Sequence, residues 1–219
     1  MAQSKPIAKK IPNMWEKRNP AGKSEGNGQR GWYKIVSEYL YEEESILDVG
    51  CSMGKQHYHF FQKKPSRVVG VDISQKALNA AKKISPNHHF LLLNDLNKSK
   101  KFDVVVAIDV IEQVEEDIDF LEFCLGMSNR MFFLSTPNSK YSGVGRYHCR
   151  SYNPFELESL INKVCVDCDI IFCGWSGDNM LNYNTQRLHL IPTFKGEDKI
   201  HGVQLIGAFI WKRRKEKML

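Results

Sequence analysis

The apolar positions of the chain fall into short, β-branched runs separated by stretches with a helical repeat. Ile46-Leu-Asp-Val is the first run, and it breaks into a turn carrying Gly50 and Gly54. Val68-Val-Gly-Val is the second and ends on Asp72; His89-Phe-Leu-Leu-Leu is the third and ends on Asn94 and Asp95. Residues 104–108 form a continuous apolar run, as expected of a strand buried on both faces, and deliver Asp109. Residues 131–136, 169–173 and 203–211 supply a fifth, sixth and seventh run. Between them, Trp32, Ile35, Val36, Tyr39 and Leu40 recur at helical spacing, as do Tyr58 and Phe61 within residues 55–64. Ser74 is placed as the N-cap of a helix carrying Leu78 and Ala81 and stopped at Pro86. Ile118, Leu121, Phe123 and Leu125 mark another helix. Asn153, Pro154 and Glu156 form a start signal with N-cap, first-turn proline and capping box. Strands alternating with helices predict an α/β fold built on a parallel sheet.

The strand, glycine turn and helix around Gly50 would offer bare backbone and a helix N-terminus to a ligand. Asp72 lies 18 residues beyond Gly54, at the tip of the second strand. An acid there is placed to accept hydrogen bonds from both hydroxyls of an adenosine ribose. Gly50 and Gly54 do not spell the dinucleotide fingerprint G-x-G-x-x-G.

Asp48, Gly50, Ser52 and Gly54 instead resemble the first motif of class I S-adenosylmethionine-dependent methyltransferases, D/E-x-G-x-G-x-G, with Ser52 in place of the middle glycine. Phe102, Asp103, Asp109, Glu112 and Val114 match a later motif of that class, with Gln113 where histidine is usual. Ser135-Thr-Pro-Asn resembles the segment after the fifth strand in the type 11/23, ubiquinone-biosynthesis-like group. The resemblance covers about residues 30 to 212 and implies a Rossmann-like, seven-stranded, mostly parallel sheet with helices on both faces and an antiparallel last strand. It implies S-adenosyl-L-methionine (SAM) as cofactor, held by Asp48, Gly50, Cys51, Ser52, Gly54, Asp72, Ile73, Asn94, Asp95 and Asp109. Asp95 would meet the adenine amino group, and Arg30, beside Gln29, would reach the methionine carboxylate by a bidentate contact. No Asn-Pro-Pro-Tyr or Asp-Pro-Pro-Tyr follows the fourth strand, which disfavours methylation of a base amino group by that motif.

Methyl transfer to a hydroxyl needs a base for the acceptor proton. His148, in the loop after the fifth strand, and Asp109 are the candidate catalytic residues. O-methylation of a small molecule or glycan is the favoured reaction. Ribose 2′-O-methylation of RNA is an alternative, because Lys34, Asp109, Lys140 and Asp178 follow in a compatible order. A non-catalytic, cofactor-binding partner subunit is a third reading. Salt dependence separates the second from the first, since nucleic-acid binding weakens steeply with salt.

Composition bounds these readings. The 219 residues suit one domain at 29–212, an irregular proline- and glycine-bearing arm at 1–28 with Trp15 as its anchor, and a basic tail at 213–219. The net charge of +6 is concentrated in the two ends and could draw a polyanion, although nucleic acid is not the favoured partner. No apolar run reaches the length of a membrane span and no signal-peptide core precedes the domain, so a cytoplasmic location is expected. Six cysteines are too scattered for a disulfide scaffold. Cys165-x-x-Cys168 lacks a second paired knuckle, so no metal is expected and reduced cysteines packed as small apolar residues are. The sequence leaves the acceptor atom and the oligomeric state open.

Overall fold

The β-branched runs pair into a single sheet. In this computed structural model, residues 27–140, 148–176, 187–191 and 203–212 are described, and their side chains within 31–140, 148–174 and 206–212. Strands β1 (Ser45–Val49), β2 (Arg67–Asp72), β3 (His89–Leu92), β4 (Phe102–Ile108) and β5 (Ser128–Pro137) run parallel in the order 3-2-1-4-5. β8 (Val203–Lys212) lies antiparallel against β5, and β6 (Cys168–Ser176) pairs antiparallel with β8 on its far side. The seven expected strands are present with β8 antiparallel as expected. β7 (Arg187–Ile191) adds an eighth, antiparallel to β6, inside what the sequence reads as a long loop.

Both faces of the sheet are covered, which is why the central strands read as unbroken apolar runs. One face is built from Leu47, Val49, Val69, Val71, Val105 and Phe132. Against it pack α4 (Asp117–Met127), through Phe120, Leu121 and Cys124, and α5 (Pro154–Val164), through Leu157 and Ile161. The inward stripe of α4 thus includes Phe120 and Cys124, whereas Ile118, expected inside, is 42% exposed. The other face, with Ile46, Val104, Val106 and Phe133, is covered by α1 (Asn27–Glu38) through Trp32, Tyr33, Ile35 and Val36. Trp32 presses so closely on β8 that a Cβ at Gly207 would lie 2.7 Å from its ring. α3 (Gln75–Ile84) carries the expected Ser74 cap, whose hydroxyl accepts from the Ala77 amide. At α5, Asn153 and Glu156 form the reciprocal capping box.

Two local expectations are corrected. The helix after the glycine turn is a single turn, α2 (Tyr58–Phe61), and it buries His57, His59 and Phe60 while Tyr58 and Phe61 stay 44% and 45% exposed. A rotation of about one position follows because His57 finds buried hydrogen-bond partners, so an imidazole can occupy a core position. Cys165 and Cys168, expected as reduced packing residues, are joined as a disulfide between α5 and β6; Cys124 and Cys173 are buried free thiols. No helix among the described residues is long and apolar enough to cross a membrane.

Candidate functional site

The carboxyl ends of β1, β2 and β4 and the turns that follow them form the candidate site. After Val49 the backbone enters the left-handed region three times in five residues, at Gly50 (φ +79°), Ser52 (+49°) and Gly54 (+60°). The fold is closed there. The Gly50 and Cys51 amides donate to the Val71 carbonyl at 2.8 and 3.1 Å, and the Gly54 amide donates to the Cys51 carbonyl at 2.8 Å. Ser52 adopts the conformation that favours glycine at its position, at a cost of about 1–2 kcal/mol, and its amide donates to Asp72 at 2.9 Å. The Cys51 side chain points away from the edge into a small cluster with Leu78, Ala81 and Phe90.

Asp72 is 6% exposed. Burial pushes its carboxyl above the ordinary carboxylate value; the Ser74 and Ser52 amides pull it down, Asp48 pushes it up again and the Ile73 amide pulls it down. Three amide donors leave at least one of the roughly four acceptor positions of a carboxylate for a hydroxyl ligand. The glycine turn and Asp72 therefore fit the adenosine end of SAM. Asn94 and Asp95 lie in a 3₁₀ turn directly after β3, both exposed beside that edge. Ile73 is half-buried just past Asp72. Asp48 differs from expectation in placement: it is fully buried beneath the turn, and its Oδ2 accepts from the Tyr33 hydroxyl and lies against His57 Nε2, each at 2.7 Å. Arg30 lies on α1 and its side chain is outside the described residues, as is that of Gln29.

β4 delivers Asp109 in the left-handed region (φ +55°). Its amide donates to the Ser135 carbonyl and hydroxyl oxygens at 3.1 and 3.2 Å, and the Ser135 hydroxyl donates to Asp109 Oδ1 at 2.9 Å. Glu112, on the following 3₁₀ turn (Ile111–Gln113), is 1% exposed. Burial and then the charge of Asp109 push it up to about 8, against hydrogen bonds from Gln113 and Thr136. Thr136 Oγ1 donates to Glu112 Oε2 and Gln113 Nε2 donates to Oε1, each at 3.2 Å. Gln113, where the class usually has histidine, also donates to the Asp109 carbonyl at 2.6 Å.

The Glu112 carbonyl accepts the amides of Cys149 (2.8 Å) and Arg150 (3.4 Å), which pins the segment carrying His148 onto this turn. His148 Nε2 stands 3.9 Å from Glu112 Oε1. The segment is clamped further along. Arg150 pairs with Asp117 at 2.5 Å and donates to the Glu115 carbonyl, while the Tyr152 hydroxyl donates to Asp117 at 2.9 Å. Against the burial that would raise it, these Arg150 and Tyr152 bonds hold the Asp117 carboxyl below its ordinary value. The structure thus holds the His148 segment against the turn that follows Asp109 through Glu112 and Arg150, which sequence reasoning did not place in the site. A buried acid inside an apolar run was the available signal for Glu112. Of the lysine-acid set, Lys34 is exposed on α1 and Lys140 is exposed after β5, while Asp178 is outside the described residues.

The sheet order, the reversed β8 and the glycine turn beside Asp72 define a class I methyltransferase fold. Residues 47–127 match the family model described as a methyltransferase domain. Among curated proteins it is 29% identical over 104 residues to the ubiquinone biosynthesis O-methyltransferase of Bradyrhizobium diazoefficiens, covering 44% of this chain and 41% of that one. It is 30% identical over 88 residues to the protein of the same name from Nitrobacter winogradskyi, covering 37% and 33%. The matches thus span less than half the length of these relatives. Solved structures agree in fold. The plantazolicin methyltransferase BpumL, in complex with a pentazolic analog and SAH, superposes with a TM-score of 0.62 at 18% identity, covering 92% of this chain and 89% of that one. The magnesium protoporphyrin IX methyltransferase of Synechocystis PCC 6803 with bound SAM superposes at 0.60 and 14% identity, covering 92% and 90%.

Proposed function

We propose that this chain is a SAM-dependent methyltransferase whose acceptor is a hydroxyl group of a small molecule or glycan. The observation that carries the reading is the pinning of the His148 segment to the turn after β4, which sets an imidazole beside Glu112, three residues past Asp109 at the carboxyl edge of the sheet. The curated relatives named as O-methyltransferases support the choice of oxygen as acceptor.

The cofactor, when bound, supplies an electrophilic methyl group on a sulfonium. The protein holds and orients. Gly50 and the turn after it would shape the floor, Asp72 would accept from the ribose, and Asn94 and Asp95 would meet the adenine. His148 Nε2 takes the acceptor proton 3.9 Å from Glu112 Oε1, and the new imidazolium charge favours ionisation of that carboxyl, which burial and Asp109 otherwise raise to about 8. Asp109, bonded to Ser135, lines the acceptor side of the same edge.

Calorimetric titration tests the cofactor reading. SAM and its demethylated product SAH should bind in the micromolar range while NAD and ATP do not, and Asp72→Ala should weaken both by about 1–3 kcal/mol through the unpaired ribose hydroxyls. An Asp72→Ala protein with unchanged affinity removes Asp72 from the site. For the base, His148→Ala should lower turnover about 10²–10⁴-fold with cofactor affinity unchanged. Full turnover in that variant eliminates His148 as the base.

A further inference from the structure

Beneath the glycine turn lies a chain of buried polar groups that the methyl-transfer reading does not use. Asp48 Oδ2 holds the Tyr33 hydroxyl and His57 Nε2, and His57 Nδ1 faces His88 Nδ1 at 3.1 Å. Asp48 and His57 are fully buried; His88, at 9% exposure, is the outermost member, and its Nε2 is buried without a hydrogen-bond partner. The His57 ring is sandwiched near Tyr33, Phe60 and Phe90, stacking on Phe90 at 5.3 Å.

The nitrogen contacts restrict where hydrogens sit. With His57 neutral and donating from Nε2 to the Asp48 carboxylate, its Nδ1 is an acceptor, so His88 Nδ1 must donate. A proton that reaches the buried, unpartnered His88 Nε2 when the site opens to solvent then releases the Nδ1 proton of His88 to His57 Nδ1. The end state has His57 protonated on both nitrogens and His88 neutral, carrying hydrogen on Nε2 only. One proton has entered from solvent, no other bond has changed, and the positive charge has moved inward to sit against Asp48. The Asp48–His57 unit passes from a net charge of −1 to zero.

We propose that Asp48, His57 and His88 form a proton relay under the glycine turn that sets the protein's preference for the cationic methyl donor over its neutral demethylated product. This rests on the cofactor reading above. SAM and SAH differ by the sulfonium charge, so a fixed negative charge under the site favours the first selectively, and the low dielectric around a buried group lengthens its reach. The charge of Asp48 is already felt in the site, where it raises the Asp72 carboxyl. His88 is suited to pass a proton on, since burial and then the neighbouring His57 and His89 push it down to about 4. The titratable groups at the relay are Tyr33 from α1, Asp48 from β1, His57 just before α2, Asp72 from β2, His88 just before β3 and His89 at its start; His59 of α2 is buried nearby in sequence.

The test is calorimetric titration of SAM and SAH from about pH 5.5 to about pH 7.5, the span in which imidazoles change charge. The SAM-over-SAH affinity ratio of the wild type should fall about fivefold as the pH is lowered, a factor worth about 1 kcal/mol. In His57→Gln, which keeps a donor to Asp48, the ratio should stay flat. Nitrogen-15 NMR of the ligand-free wild type gives a readout free of variants: His57 should collect the added proton while His88 stays neutral and moves its hydrogen from Nδ1 to Nε2. A flat wild-type ratio, a pH-dependent ratio in His57→Gln, or proton uptake at His88 overturns the proposal. Failure of both ligands to bind at any pH overturns the cofactor reading instead, together with the donor selectivity built on it, and the NMR titration still decides the relay.

Discussion

Gly50→Val should cost the fold about 3–5 kcal/mol, through two independent terms. The first is backbone strain. At φ +79° an L side chain sits in the left-handed region, and a β-branched one is worst placed there. The second is space: a Cβ at Gly50 would stand 2.4 Å from Val110 Cγ2. The sequence suggests that this glycine is needed so that a ligand can approach the backbone; the structure shows that the chain itself already fills one side. At this chain length the melting temperature should drop by about 10 °C or more, with cofactor binding lost as well. Adding Val110→Ala relieves the contact and leaves the dihedral, so the double variant should recover part of the loss. A Gly50→Val protein melting within about 2 °C of wild type would show that the turn is not left-handed at this position.

Glu112→Gln should have an effect that depends on pH. The ordinary glutamate value is 4.5, and burial with the nearby charge of Asp109 raises Glu112 to about 8 in the folded protein. A carboxyl whose folded value is raised supports the fold fully below the unfolded value and loses that support as pH climbs through the folded one. The wild type should therefore match the glutamine variant near pH 4.5, and the variant should be the more stable above about pH 8. The difference there is at most about 5 kcal/mol. Glutamine can keep both neighbours, accepting from Gln113 as the carboxyl does and donating to Thr136 Oγ1, whose hydroxyl turns round from the donor it is toward the carboxyl. Urea denaturation at the two pH values reads the difference directly, and parallel stability of the two proteins across the range would mean that Glu112 is ionised throughout.

How far the sequence was readable follows from which forces acted locally. β1, β2, β4 and β5 are pure burial signals, and apolar runs bounded by glycine or acid mark them without reference to anything distant. The caps at Ser74 and Asn153 are equally local, since each bonds an amide two or three residues on. α2 was misread because its inward face is chosen by a partner 31 positions away in sequence: His57 is buried to meet His88 and Asp48, and no periodicity in residues 55–64 carries that information. The site divides in the same way. Gly50, Ser52, Gly54 and Asp72 stand within one strand-turn-strand segment and were legible. The contact of Cys149 and Arg150 with the Glu112 carbonyl joins parts of the chain more than 35 residues apart and was not. β7 and the Cys165–Cys168 disulfide were missed because a short strand in a polar stretch, and two cysteines at close spacing, each have several readings until the edge of β6 is in view.

β8 lies between β5 and β6, although it follows both in the chain. A ribosome releases the chain in order, so β5 and β6 emerge with facing edges that nothing yet fills. Seven register pairs on one side and nine on the other wait for residues 203–212. Until those residues leave the exit tunnel, two bare backbone edges flank a gap one strand wide, the geometry that recruits strands from other chains. A stop codon between the end of β6 and Val203 would make that interval permanent. Premature termination should therefore yield aggregates, and the yield of native protein should depend on how quickly translation runs from residue 176 to residue 212.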